Sequence, residues 1–248
     1  MPLWLVSLLL CWCFAGAALA GDILIAVASN FTKTAETLRQ SFAAETGNTA
    51  SLASGSTGKL QAQIAAGAPY DILLSADDAA ASALAALGLA EDNSRFVYAE
   101  GRLALVGPVA GSGDDTPIDR LKAGDYRHIA IANPALAPYG RAARETLEAL
   151  LLWPEAQPRI VTGENVAQAL SLVLSGAAEL GLVAAPGLSP GALRIWPVPE
   201  ALHTPVRQEA VLLAHGADNA AARAFLDWLR GDAARGMIVA AGYGVPAQ

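Results

Sequence analysis

Four short stretches of this sequence set hydroxyl, amide or proline residues at the start of a helical pattern: Ser29-Asn30, Ser56-Thr57, Pro138-Tyr139-Gly140 and Glu164-Asn165-Val166. The second is the most pointed. In Ala53-Ser54-Gly55-Ser56-Thr57-Gly58-Lys59-Leu60, small residues join an apolar run to a helical one. Small residues let the backbone turn tightly at such a junction. Two hydroxyls then fall where a helix leaves its first N–H groups without partners. Backbone N–H donors, hydroxyl donors and the positive end of a helix dipole together make an anion site. Hydroxyl residues also cap helices with no ligand involved, so this turn alone does not decide the matter. A nucleotide-binding loop is the obvious rival and fails at both ends: Ala53 stands where it needs glycine, and Leu60 where it needs a hydroxyl.

The elements that must position these turns are legible as alternating strands and helices. Asp22–Ala28 is a short apolar run rich in β-branched residues, read as a buried parallel strand. Ser29 and Asn30 follow as N-cap types, and Phe31, Ala35, Leu38 and Phe42 mark one face of a helix that ends at Gly47. Strand 49–53 and helix 59–66 repeat the unit. Tyr70–Asp77 reads as a third strand, with Asp77 or Asp78 capping a helix over 79–87. Residues 22–99 therefore read as βαβαβα. Strands follow at 101–108, 127–132, 159–162, 181–184 and 193–196, with helices at 117–123 and 141–151, and another from Val166 that places Val166, Leu170, Val173 and Leu174 on one face. Residues 111–115 read as a loop. Val206–Leu213 reads as the chain returning to the first sheet, before a helix over 219–230 and a closing turn at Gly242–Pro246. No low-complexity linker separates the halves. Crossings near 99–101 and 204–206 suit two lobes hinged around a cleft. The expected layout is a signal segment at 1–20, lobe 1 from 21–100 plus 206–248, and lobe 2 from 101–205. In such sheets ligands bind at the carboxyl ends of the strands, where all four turns fall.

Composition narrows the function. The chain has 248 residues and a formal net charge of −7, which argues against nucleic acid as partner. Any anion binding must then be local. Residues 1–20 are apolar, uncharged and end in Ala18-Leu19-Ala20, which reads as a secretory signal cleaved after Ala20. No Lys or Arg precedes the apolar stretch, so an uncleaved anchor is the alternative. Both cysteines, Cys11 and Cys13, lie inside it, which leaves the mature chain without disulfides, thiol chemistry or a thiolate metal site. His128, His203 and His215 share no metal-ligand spacing and are expected at the surface or at strand edges. Asp71, Asp77 and Asp78 look structural: Asp71 opens a strand and Asp77 caps a helix. Lys33 and Lys59 are expected to be solvated, and Glu164 to cap its own helix facing away from the site. A secreted α/β enzyme acting on an anionic substrate is the alternative class, but no general base stands near the turns.

These stretches also carry a family resemblance. Ala28-Ser29-Asn30-Phe31, Ser54-Gly55-Ser56-Thr57-Gly58, Gly67-Ala68-Pro69-Tyr70-Asp71, Leu74-Ser75-Ala76-Asp77, Ile131-Ala132-Asn133-Pro134 with Ala137-Pro138-Tyr139-Gly140, Glu164-Asn165-Val166 and Ala241-Gly242-Tyr243 run in order across the mature chain. Together they resemble the periplasmic molybdate-binding proteins of ABC importers. The resemblance implies a bilobal type II periplasmic-binding-protein fold, with two open, mostly parallel sheets joined by a hinge of two crossings. It implies a non-enzymatic solute-binding protein with no cofactor, capturing molybdate or tungstate for a membrane permease, and a monomer. Carried over by position, Ser29, Asn30, Thr57, Tyr139 and Val166 fall on the family's ligand-contact positions, Val166 through its backbone N–H; Ser56 is adjacent and joins them. The metal is held as its oxyanion, with no side chain coordinating it. Molybdate is a dianion that only accepts hydrogen bonds, so a donor-only site suits it, and sulfate is rejected by cavity size. One departure stands out: family members often carry a tyrosine after the Gly-Leu-Val strand, where this chain has Ala184-Ala185. Tyr139 is then expected to supply the aromatic hydroxyl. The same fold tuned to sulfate or phosphate remains an alternative.

Overall fold

In the computed structural model residues 21–109, 115–189 and 191–246 are described; the candidate signal at 1–20 and most of the candidate loop at 111–115 lie outside them. The first sheet begins with β1 (Asp22–Ala28), whose inner residues are buried on both faces, as in a central parallel strand. Helix α1 (Thr32–Thr46) follows, burying Ala35, Leu38 and Phe42 and ending at Gly47 in the left-handed conformation. Then come β2 (Thr49–Gly55), α2 (Thr57–Ala65), β3 (Ile72–Leu74), α3 (Asp78–Ala86) and β4 (Phe96–Gly101). A second set comprises β5 (Leu103–Pro108), α4 (Pro117–Ala123), β6 (Ile129–Ala132), α5 (Pro138–Ala149), α6 (Trp153–Ala156), β7 (Ile160–Gly163), α7 (Val166–Leu174), β8 (Leu180–Ala184) and β9 (Leu193–Pro197). The chain closes with β10 (Val206–Leu212), α8 (Ala220–Leu229) and α9 (Asp232–Ala240).

Two five-stranded sheets result, ordered β2-β1-β3-β10-β4 and β7-β6-β8-β5-β9. In the first, β10 alone runs against the other strands. In the second, β5 alone does so. Each sheet is therefore open and mostly parallel; the reversed strands are β5, by which the chain enters the second sheet, and β10, by which it returns to the first. The chain leaves the first sheet at Arg102, between β4 and β5, and returns over residues 198–205. Each sheet has its own core. Ile23, Ile25, Phe31, Phe42 and Phe225 pack on one face of the first sheet, and Leu60, Ile64, Leu73 and Leu84 on the other. Leu105, Ile131, Leu147, Val173 and Leu182 belong to the core of the second. Each sheet with its helices thus forms a lobe.

Several local expectations change. Ser29 and Asn30 lie in a turn before α1, whose N-cap position is Phe31, with no side-chain cap. The strand expected over 70–77 pairs only at 72–74, because the chain turns away for Asp77 to accept from Ala80 N–H and cap α3. β4 and α9 were not anticipated. Leu174 is exposed rather than inward, and the inner face of α7 is Val166, Ala169 and Val173. His203 is buried in the returning crossing, with its Nδ1 2.8 Å from the Thr204 carbonyl. Asp71 is structural: its carboxylate accepts from Leu24 N–H at 2.7 Å.

Candidate functional site

Register decides which turns meet. β1 pairs with β2 in parallel to the last residue of each, Ala28 beside Gly55, so the turns at Ser29-Asn30 and Ser56-Thr57 emerge side by side. In the other lobe β6 pairs with β7, Ala132 beside Gly163, and the turns leading into α5 and α7 emerge together. The two pairs of turns face each other. One small cavity between the lobes is lined by Ser29, Asn30, Ser56, Thr57, Tyr139 and Val166, with Ala28, Gly55, Ala76, Ala137 and Pro138. All six residues singled out in the sequence are thereby brought to one place.

The N–H and hydroxyl groups that the turns bring to this cavity are donors, or are free to act as donors. Thr57 and Val166 are first residues of α2 and α7, and Tyr139 is the second of α5, so their N–H groups have no partner within the helix. The three helix dipoles converge on the cavity with their positive ends. Ser29 N–H donates to the Gly55 carbonyl at 2.9 Å and Phe31 N–H to the Ala28 carbonyl at 2.8 Å, while Asn30 N–H between them bonds to no described residue. The Asn30 side chain is committed elsewhere, its Nδ2 donating to Gln208 Oε1 at 2.9 Å and to the Tyr243 hydroxyl at 3.3 Å. What Asn30 offers a ligand is therefore its backbone N–H. Thr57 Oγ1 accepts from Ala76 N–H at 3.1 Å, which leaves its proton to donate. Ser56 is 2% exposed and its Oγ has no partner among the described residues. A buried hydroxyl left unpaired costs about 1–3 kcal/mol, so its retention marks a place where a partner arrives.

Tyr139 is 1% exposed and its hydroxyl also has no partner among the described residues. That hydroxyl ends against Gly101, where a Cβ would overlap it. Only glycine at this crossing admits the ring. Burial, first, and then the neighbouring Tyr243 and Tyr98 hold the Tyr139 phenol well above the ordinary tyrosine range, so it stays a neutral donor.

Contacts across the cavity rim tie the lobes together. Gly58 N–H donates to the Leu136 carbonyl at 2.8 Å, and a Cβ on Gly58 would stand 3.0 Å from that same oxygen. Lys59 Nζ meets Glu164 Oε1 at 2.7 Å, and Arg141 pairs with Asp77. Two expectations are corrected here. Lys59 is not simply solvated, and Glu164 does not cap its helix; Asn165 does, accepting from Gln168 N–H at 3.1 Å. Pairing with Lys59 neutralises the acid beside the site. Neither inter-lobe pair places a net charge there, and no Lys or Arg lines the cavity. Among the described residues no group of three or more His, Cys, Asp or Glu is placed to hold a metal ion. A groove of about 1180 Å³ adjoins the cavity, shares Ser29, Asn30 and Val166 with it, and runs past Lys33, Arg102 and Ala184-Ala185.

Comparison with known proteins points the same way as this geometry. The model of the family described as bacterial extracellular solute-binding protein matches residues 23–244. The molybdate-binding protein ModA of Azotobacter vinelandii is 40% identical over 233 residues, which is 92% of this chain and 92% of that protein. Its namesake from Rhodobacter capsulatus is 38% identical over 232 residues, covering 91% of this chain and 89% of the relative. The solved structure of the Azotobacter vinelandii periplasmic molybdate-binding protein superposes with a TM-score of 0.84 at 38% identity, covering 91% of this chain and all of that one.

Proposed function

We propose that this chain, which belongs to the bacterial extracellular solute-binding protein family, captures molybdate or tungstate between its two lobes and delivers it to the permease of an ABC importer. Its fold is the bilobal type II arrangement of periplasmic binding proteins. As a solute-binding protein it is not an enzyme, and the oxyanion is its cargo rather than a cofactor. The lobes comprise residues 21–100 with 206–248, and residues 101–205. Residues 1–20 direct the chain to the periplasm, where it works as a monomer; among the described residues no helix is long and apolar enough to cross a membrane.

The observation that carries this reading is the Ser56 hydroxyl, buried and unpartnered in a cavity walled by three helix N-termini. The ligand oxygens are received by the hydroxyls of Ser29, Ser56 and Thr57 and the N–H groups of Asn30, Tyr139 and Val166. Hydrogen bonds to an ion are about twice as strong as neutral ones, and neutral donors avoid burying a second charge. Closure excludes water from these bonds and sets the size that separates molybdate from sulfate. Titration calorimetry on Ser29→Ala and Thr57→Ala tests the assignment. Each is expected to weaken molybdate binding by about 1.5–3 kcal/mol. Wild-type affinity in both would show that the cleft is wrongly assigned.

A further inference from the structure

Gln208 lines neither the cavity nor the groove, yet it sits under the site. It is 0% exposed in β10, the reversed strand of the first sheet. A polar side chain so buried needs a reason, because each unpaired polar group there costs stability. Its Oε1 accepts from Asn30 Nδ2 at 2.9 Å and from the Tyr98 hydroxyl at 3.2 Å. The backbone is shaped for this. Antiparallel pairing of β10 with β4 runs Gln208 to Ala99 and then Glu209 to Val97, so Tyr98 is the extra residue of a bulge opposite Gln208. Bulges re-aim side chains, and this one turns the Tyr98 hydroxyl to both Gln208 and the Ser75 carbonyl, the latter at 3.2 Å. From the other side Tyr243 completes the clamp, donating to the Asn30 carbonyl at 2.6 Å and accepting from Asn30 Nδ2 at 3.3 Å. The second amide atom, Gln208 Nε2, has no partner among the described residues. It stands 3.0 Å from where a Gly101 Cβ would be, the same point that the Tyr139 hydroxyl overlaps from the opposite lobe.

We propose that Gln208 is the positioning residue of the oxyanion site: its amide fixes the Asn30 turn so that the Asn30 N–H faces the ligand, and its free Nε2 beside Tyr139 couples that turn to closure of the other lobe. The inference rests on the oxyanion reading above. The Ser29 and Phe31 N–H bonds hold the backbone on either side of Asn30, and Gln208 and Tyr243 hold its side chain, so its backbone donor keeps one direction. Across the cleft, the Tyr139 hydroxyl of the second lobe stands beside the Gln208 amide nitrogen, whose N–H groups no described residue accepts. Ligand capture and lobe closure thereby act on the same amide.

The test uses protein purified from the periplasmic fraction after expression of the full chain, with molybdate affinity measured at pH 5.5 and pH 8. Wild-type affinity is expected to agree at the two values within about twofold. Gln208→Leu should weaken binding about 10-fold or more at both, as outer partners of ligand-binding groups typically do. Gln208→Glu keeps the acceptor but buries a carboxylate near a dianion. It should bind more weakly still at pH 8 and recover at pH 5.5, where burial favours the protonated acid. The titratable groups around it are the Tyr98, Tyr139 and Tyr243 phenols, all raised by burial above the ordinary tyrosine range, while Glu209 is paired with Arg95. The pH profile therefore reports on residue 208. Tyr98→Phe is the second variant. It lines no cavity and meets the site through its bonds to Gln208 and to the Ser75 carbonyl, so in a chain of unchanged melting temperature it should cost about threefold in affinity. Wild-type affinity in Gln208→Leu and Tyr98→Phe, or an equal loss in Gln208→Glu at both pH values, overturns the proposal while the oxyanion reading stands. A wild-type chain that binds no molybdate overturns both.

Discussion

At the scale of the residue, the two neighbouring hydroxyls of the second turn are expected to part company on mutation. Ser56 Oγ has no partner among the described residues, so Ser56→Ala removes no bond among them that holds the fold. Urea unfolding of the unliganded variant should show stability unchanged or raised, by up to about 1–3 kcal/mol as the unpaired hydroxyl is removed, while molybdate binding falls by about 1.5–3 kcal/mol. Thr57→Val also strands the Ala76 N–H, and should cost about 1–3 kcal/mol of stability besides its share of binding. Equal effects of both variants on stability would contradict this division of labour. The hydroxyl and cap residues of the four turns were legible in the sequence because their chemistry is local: each lies at a strand-to-helix junction. Their supports were not. Asn30 and Gln208 lie 178 residues apart, Asn30 and Tyr243 213 apart, and Lys59 and Glu164 105 apart. No periodicity links such pairs. Only the fold brings them together, which is why Glu164 read as a cap and Lys59 as a solvated side chain.

At the scale of the element, closure depends on how near α2 of one lobe comes to the turn before α5 of the other. Gly58→Ala places a methyl 3.0 Å from the Leu136 carbonyl, and backbone yields less readily than a side-chain tip. The closed form is expected to lose several-fold in population, seen as a molybdate affinity lowered about three- to tenfold with unliganded stability unchanged or slightly raised. Affinity at or above wild type would mean that the two backbones need not meet. Lys59 and Glu164 are each about half exposed, so their pair contributes little by itself and chiefly cancels charge at the rim. The alternation of strands and helices in the first lobe was readable, because buried β-branched runs and one-faced helices leave strong patterns. β4 was missed because it mixes apolar residues with Glu100 and meets β5 across a single residue, Arg102. α9 was missed because Gly236 interrupts its pattern, and glycine in a helix interior disfavours that reading.

At the scale of the whole molecule, the sites that titrate most unusually are the tyrosines under the cleft. Tyr98 and Tyr139 are held well above the ordinary tyrosine range, chiefly by burial. Groups raised on folding contribute stability that is complete below the unfolded pKa of about 10 and is lost as pH rises toward the folded value. Stability should therefore hold at neutral pH and fall above about pH 10, with Tyr98→Phe softening that fall in an alkaline unfolding series. The architecture as a whole places four strand ends of two sheets around one donor-lined cavity, and in the proposed function this cavity selects a tetrahedral oxyanion by size. The most direct measurement is thermal unfolding of the chain with molybdate, tungstate, sulfate and phosphate in turn. At 100-fold excess over Kd a ligand adds about 2.7 kcal/mol, which for a chain of this length raises the midpoint by roughly 5–10 °C. That rise is expected with molybdate and tungstate, and none with sulfate or phosphate. A rise with sulfate or phosphate alone, or with none of the four, would contradict the proposed function.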